Sequence, residues 1–292
     1  LKGRARQIAT GLLWVSPWLL GFVLFMLWPV AMSLYYSFTD YGLVDAPIWV
    51  GTENYRELAS DGLLVTALRN TLSYAAMAVV FGTGTSVAIA MLLEQKLKGA
   101  ALVRSIVFVP TLVPVVANCV VWLWLLNPGY GLINSALGRI GVAAPNWLGE
   151  RATALPTMVV MGLWVIGSPL LVCSAAIKEV PRSLYEAAEL DGMSPLRRFW
   201  NVTLPMISPA LVFNGVMSVI WSLQVLAPPM IMTRGGPDNA TLTYSMYVYK
   251  TAFEFGRMGY ACALGWVQIL ITLALAGIVM AVSKRFVYYR GA

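Results

Sequence analysis

The sequence contains no histidine, and only 11% of its 292 residues are charged against 59% hydrophobic. Ordinary soluble domains carry about 25% charged residues, so this composition excludes that class and marks a membrane chain. Inside its long apolar runs the only charged residues are Arg69 and Arg104, each close enough to a run's end to snorkel to water. No acid sits mid-span. That absence weighs against a proton-coupled carrier, which needs a titratable group there, and against an intramembrane hydrolase, which needs a nucleophile with a base or paired aspartates. Sodium coupling through backbone carbonyls stays open, although no matching pair of broken spans is visible in two halves. No Gly-rich loop with a Lys-Ser/Thr pair is present, so the chain does not hydrolyse nucleotide itself. Its three cysteines, Cys119, Cys173 and Cys262, fall in apolar runs as small hydrophobes and suggest neither disulfides nor a metal site. No basic stripe interleaves with exposed aromatics, which speaks against nucleic acid.

What is present is a set of six apolar spans: Ile8 to Phe38, Thr66 to Leu93, Ala101 to Leu126, Leu155 to Ile177, Ala210 to Met232 and Gly259 to Ser283. Each exceeds the roughly 20 residues a helix needs to cross hydrocarbon. The expected fold is therefore all-α, one polytopic transmembrane domain over 1–292. Pro29, Pro110, Pro114, Pro169 and the Pro228-Pro229 pair are the places where kinks would fall, if they are not merely tolerated. The first span starts with cations, lacks a small-residue cleavage site and is too long for a signal peptide, so it is read as retained.

Orientation follows from the cations. Lys2, Arg4 and Arg6, then Lys96, Lys98 and Arg104, then Lys178, Arg182, Arg197 and Arg198, then Lys284, Arg285 and Arg290 account for most of the 20 and fall on one side of the membrane. Positive residues favour the cytoplasm, which places both termini inside, as an even span number requires. The net charge of +7 is thus a topology signal.

Between the fourth and fifth spans, 178–209 reads as a docking element and not as a slack loop. Pro181-Arg182-Ser183 opens a short helix, Leu184, Ala187, Ala188 and Leu190 give it an apolar side, and Gly192 ends it in a left-handed turn. Ser194 then caps a second helix with Pro195 at its first position. An apolar, charged hairpin on a membrane protein suits a soluble partner. Otherwise Glu186 and Glu189 are simply the solvated side of a surface helix.

Glu186-Ala187-Ala188, Asp191-Gly192, Phe199, Leu204-Pro205 and Pro209 stand at the spacing of the coupling-loop signature of importer-type ATP-binding cassette permeases. Nearly the whole chain resembles the maltose-type, sugar-importing members. Ser16-Pro17, Trp28-Pro29, Arg69-Asn70-Thr71, Pro110, Asn127-Pro128-Gly129 and Thr233-Arg234-Gly235-Gly236-Pro237 carry that resemblance, with Met193 in place of a usual alanine and Arg234 in place of a more familiar glycine. The resemblance implies a non-enzymatic subunit in a bacterial or archaeal cytoplasmic membrane. It would pair with a second homologous permease and with a nucleotide-binding ATPase dimer that holds ATP and Mg, this chain binding no cofactor. An extracytoplasmic binding protein would deliver a sugar. Glu186, Ala187, Ala188, Glu189, Asp191 and Gly192 would form the coupling element, Glu186 pairing with a cation of the ATPase and Gly192 supplying the bend.

A substrate pathway needs polar residues on one face. In the fifth span Asn214, Ser218, Trp221, Ser222 and Val225 recur at helical spacing, with Gln224 on the flank. Trp164 and Ser168 in the fourth span and Asn118 and Trp122 in the third are further candidates. Aromatic faces stack on sugar rings, while amides and hydroxyls exchange hydrogen bonds with sugar hydroxyls. The same residue types also join transmembrane helices to one another. Absence of charge along the spans favours a neutral solute, although glycerol phosphate importers are relatives in the same family. An ion-coupled carrier would instead transport alone, and a receptor-like subunit would lack solute specificity. Outside, Asp40, Asp45, Glu53, Glu57 and Asp61 are candidate binding-protein contacts, as are Tyr244, Tyr247 and Tyr249, which alternatively form an interfacial helix at the lipid headgroups.

Overall fold

The computed structural model describes residues 2–95 and 99–284, with side chains from residue 10 onward. Lys96, Lys98, Arg285 and Arg290, which entered the orientation argument, lie outside the described residues, as do the side chains of Lys2, Arg4 and Arg6.

The elements follow in chain order. Helix α1 (Lys2–Phe22) passes through a π-helical turn (Val23–Leu27) into α2 (Trp28–Tyr36). The turn lies just ahead of Pro29, whose ring cannot complete a regular α-helical bond, and the helix continues without a sharp kink. A two-residue antiparallel ladder follows, β1 (Thr39–Asp40) with β2 (Ile48–Trp49), then α3 (Glu53–Leu58) and α4 (Gly62–Leu93). The ladder corrects the all-α expectation in a small way: it closes where Asn54 Nδ2 donates to the carbonyls of both Ser37 and Thr39, each at 2.9 Å. Beyond lie α5 (Ala100–Phe108) with a 3₁₀ turn (Val109–Leu112), α6 (Val115–Leu125), α7 (Leu132–Arg139), α8 (Arg151–Leu163), α9 (Gly167–Glu179), α10 (Arg182–Leu190) and α11 (Pro195–Arg198). A second π-helical turn (Phe199–Thr203) leads into α12 (Leu204–Leu223), then come α13 (Ala227–Met232), α14 (Tyr244–Tyr249), a third π-helical turn (Lys250–Glu254) and α15 (Met258–Ser283).

Among the described residues, four helices are long and apolar enough to cross a membrane: Thr10–Tyr36, Gly62–Leu93, Pro195–Leu223 and Met258–Ser283. Two more spans result if each of two bent pairs is counted as one. Ala100–Leu112 and Val115–Leu125 meet at 104°, and Arg151–Leu163 and Gly167–Glu179 at 53°. Broken spans are therefore a main feature of the fold, and they fall at Pro110, Pro114 and Pro169, among the prolines named from the sequence as kink sites. Pro110 and Pro114 make the first break, because Val113, preceding a proline, is extended (ψ 128°) and cannot continue a helix. In the second, Pro169 lacks an N–H and fits only the first turn of a new helix, α9.

The fifth span also departs from expectation. Its helix begins at Pro195, well before Ala210, and stops at Leu223, well before Met232. Pro205 has no N–H to give, and the π-helical turn ahead of it, closed by Leu204 N–H to Phe199 O, carries α11 into α12 without a stop. Pro228 and Pro229 then force a fresh start as α13.

The chain divides into two compact units, Leu1–Asp61 with Val248–Ile269, and Gly62–Tyr247 with Leu270–Ala292. In the first, Gly259 lies under the strand ladder, where a Cβ would stand 2.0 Å from the Thr39 carbonyl oxygen. Arg257 grips Glu57 through two hydrogen bonds of 2.6 and 2.5 Å and lies 4.5 Å over the Tyr260 ring, whose hydroxyl donates to Asp61 at 2.6 Å. Glu57 and Asp61 are thus engaged within the chain.

In the second unit, α4 buries small residues along one side, Ala67, Thr71 and Ala75 and then Ser86 and Ala90, which lets neighbouring helices approach. In lipid this close fit replaces the hydrophobic drive that water would supply. One core joins Val87, Ala90 and Leu93 to Leu170, Cys173, Val180 and Ile207, with Tyr185 and Phe199 against it. A second joins Cys119, Met158, Met161 and Met232. Tyr244 and Tyr247 are buried, 0% and 6% exposed, so they are neither docking tyrosines nor headgroup anchors. Their helix is latched instead: the Tyr244 N–H donates to Thr71 Oγ1 at 2.8 Å, and Asn70 Nδ2 donates to the carbonyls of Asn239 and Leu242 at 2.7 and 3.0 Å. Arg234, where glycine is more familiar, stands at φ 54°, the left-handed region that glycine enters freely.

Candidate functional site

The largest cavity described, about 740 Å³, lies in the second unit, among α4, the two broken pairs and α12. Its size is within the ordinary range for small-molecule sites. The break in the first pair contributes Thr111. The break in the second contributes Ile166 and Ser168, and α12 contributes Asn214, Ser218, Trp221 and Ser222. No lining residue carries a charge.

The predicted stripe on the fifth span is thus brought to one cleft, though its members differ in what they do. Trp221 is 67% exposed and Ser218 is partly exposed, so both are open to a ligand. Asn214 turns inward: its Nδ2 donates to Pro169 O at 3.1 Å and to Cys173 Sγ at 3.3 Å, which ties α12 to α9. Ser222 is 4% exposed at the cleft's floor. Gln224 and Val225 fall beyond the helix end and outside the lining. Ser168 of the fourth span does line the cleft, but Trp164 does not; it meets Trp122 edge-on, centroids 6.0 Å apart. Asn118 is buried next to Cys119. Tyr74, Thr111 and Phe213 were not singled out from the sequence and line the cleft. Only Thr111 carried a signal, its place between Pro110 and Pro114.

The hairpin is built as its sequence punctuation dictates. At the end of α10, Gly192 is at φ +70°, the Gly192 N–H donates to Glu189 O at 3.0 Å and the Met193 N–H to Ala188 O at 2.9 Å. This paired closure satisfies carbonyls that a helix end otherwise leaves bare. Ser194 Oγ accepts the Arg197 N–H, and Pro195 starts α11. Arg198 and Glu189 pair across the hairpin, and Tyr185 Oη shares a 2.9 Å hydrogen bond with Thr203 Oγ1. The second helix is not separate, however, since it runs straight into the fifth span.

The apolar side expected of α10 does not cover the chain's own core. Ala188 alone is buried, while Leu190 is 90% exposed, and Leu196 of α11 and Trp200 after it are exposed too. Glu186, Ala187, Asp191 and Gly192 are exposed, and Glu186 makes no ion pair with any described residue. The result is a rigid, apolar-tipped and charged knob.

Three comparisons bear on these features. The probable ABC transporter permease protein YesP of Bacillus subtilis (strain 168) is 33% identical over 284 residues, 96% of this chain and 92% of that protein. The diacetylchitobiose uptake system permease protein NgcF of Streptomyces coelicolor (strain ATCC BAA-471 / A3(2) / M145) is 32% identical over 281 residues, 90% of this chain and 79% of that protein. In fold, the chain is similar to the crystal structure of a bacterial ABC transporter involved in the import of the acidic polysaccharide alginate, with a TM-score of 0.84, 23% identity and 98% of each chain covered. Residues 82–288, which include the cleft's two breaks, the hairpin and α12, match one family over most of the chain, and the chain belongs to it: the inner membrane components of binding-protein-dependent transport systems.

Proposed function

We propose that this chain is one of two permease subunits of an ABC importer that carries a neutral sugar or oligosaccharide into the cytoplasm, with six spans and both termini inside. The observation that carries the substrate class is the uncharged cleft. Trp221 offers a face for a sugar ring, and Ser168 and Ser218 offer hydroxyls. A phosphate ester entering the same cleft would leave its charge without a partner in a region of low dielectric, so glycerol phosphate is the poorer fit. Relatives named for diacetylchitobiose uptake and for sn-glycerol-3-phosphate transport are about equally similar, so the choice of a neutral solute rests on the cleft.

Energy comes from a separate ATPase dimer holding ATP and Mg. The exposed knob of α10 and α11, with Glu186 in no ion pair among the described residues and Leu190 bare, is the surface offered to it. The paired bonds from the Gly192 and Met193 N–H groups and the Glu189–Arg198 pair make the knob stiff, so a displacement of the ATPase passes through α11 into α12, which lines the cleft. A binding protein delivers the solute from outside, and a second permease completes the passage.

Reconstitution of the chain with its partner permease, ATPase and binding protein in vesicles tests this. Uptake of a neutral sugar, dependent on ATP and on the binding protein, is the expected result. Transport by this chain alone, or preference for a phosphorylated solute, would overturn it.

A further inference from the structure

A second cavity, about 460 Å³ and open to one side, lies behind the hairpin, bounded by the ends of α4 and α9, by α10 and by the start of the fifth span. Among the described residues three cations line it, Lys178, Arg182 and Arg198, against one carboxylate, Glu94. Two of these charges have internal reasons to be there. Arg198 pairs with Glu189, and Lys178, in the last turn of α9, complements the helix end and lies 3.6 Å from Glu94. Glu94 is itself already held by Arg104 at 2.8 Å. Arg182 counts toward the charge asymmetry of the two membrane sides but has no local partner of this kind. It opens α10, where the helix's partial positive charge disfavours a cation, no acid stands in that first turn, and it makes no ion pair with any described residue. The rest of the described wall is mixed: Met91, Ile177, Val180, Pro195 and Phe199 are apolar, while Gln95, Tyr185 and Thr203 are polar, the last two already bonded to each other.

We propose that this cavity binds a phosphate-bearing anion, its phosphate held by Arg182 and Lys178 and any hydrocarbon lying on the Met91, Ile177 and Val180 wall. Guanidinium groups match phosphate oxygens in pairs, and basic pockets between spans at the cytoplasmic side suit acidic phospholipid headgroups. An apolar stretch of wall fits an acidic phospholipid better than free phosphate, which shares the same headgroup chemistry. Occupancy would brace α10 against α4 and α9 and so stiffen the hairpin. The placement of this pocket at the cytoplasmic leaflet rests on the orientation given under the proposed function.

The test uses the whole complex, purified and stripped of lipid in detergent. Native mass spectrometry with dioctanoyl phosphatidylglycerol is expected to reveal a saturable adduct that dioctanoyl phosphatidylcholine does not form, weakened about tenfold or more in the Lys178→Gln/Arg182→Gln double variant. Displacement of that adduct by millimolar inorganic phosphate would assign the site to free phosphate; persistence would assign it to lipid. Equal binding of both lipids, or an unchanged adduct in the double variant, overturns the proposal. Labelling of Gln95→Cys, exposed just past the end of α4 on the pocket's rim and outside the docking knob, by an impermeant maleimide in inverted against right-side-out vesicles reads the orientation separately. Labelling only from outside would refute the cytoplasmic reading while leaving the anion site to the lipid result.

Discussion

Thr111 Oγ1 accepts the backbone N–H of Gly167 at 3.1 Å, across 56 positions of sequence. The two residues stand at the breaks of two different helix pairs, and the bond caps the bare start of α9. The approach is close: a Cβ on Gly167 would lie 2.3 Å from Thr111 Oγ1 and 2.7 Å from the Phe108 ring. Both breaks border the uncharged cleft, so this contact sets the distance between two of its walls.

Gly167→Ala is therefore expected to destabilise the second unit by about 1–3 kcal/mol through overpacking and to lower uptake. Thr111→Val keeps the shape but orphans a buried N–H, at about 1–3 kcal/mol, while Thr111→Ser retains the acceptor. Thermal melts of the purified complex should rank Ser above both Val and the alanine variant; equal melts would remove the capping role.

Trp221→Ala and Asn214→Ala separate ligand contact from helix joining. Trp221 is exposed in the cleft, so its loss should cut uptake severalfold with little change in melting temperature. Asn214 ties α12 to Pro169 and Cys173, and its loss should lower stability by about 1 kcal/mol or more. Normal uptake in Trp221→Ala would exclude the tryptophan from the pathway.

At the hairpin, Gly192→Ala places a side chain at φ +70°, at about 1–2 kcal/mol, whereas Gly192→Asn should be milder. Glu186→Ala should leave folding intact, because the carboxylate touches no described partner, yet uncouple ATP hydrolysis from uptake. ATP consumed per solute taken up is the measurement, and an unchanged ratio in both Gly192→Ala and Glu186→Ala would refute the coupling role.

Hydrogen bonds from Arg257, opposed by burial and by the nearby Asp61, hold the Glu57 carboxyl below the usual carboxylate range. Since the folded value lies below the unfolded one, the stabilisation is complete above the unfolded value, about 4.3, and fades as pH falls through the folded value. Both partners are about half exposed, so its size is at most about 1 kcal/mol. Melts from pH 7 to pH 3 should converge for wild type and Glu57→Gln at the acid end; a constant gap would show that the pair does not titrate.

The hairpin was the most legible part of the chain, since Gly192, Ser194 and Pro195 act on the backbone within a few residues of themselves and need no distant partner. Membrane class and a polar stripe on the fifth span were equally written in composition and period. The sharp bends were not: prolines mark where a helix can stop, but the 104° and 53° angles depend on what each half packs against. A stripe likewise defines a direction about its own helix axis and not the neighbour that stands there. Only the folded chain sends Asn214 toward Pro169 while leaving Trp221 open, and only it brings Thr111 to Gly167 or Asn70 to Asn239, pairs whose separation along the chain hides the contact from any local pattern.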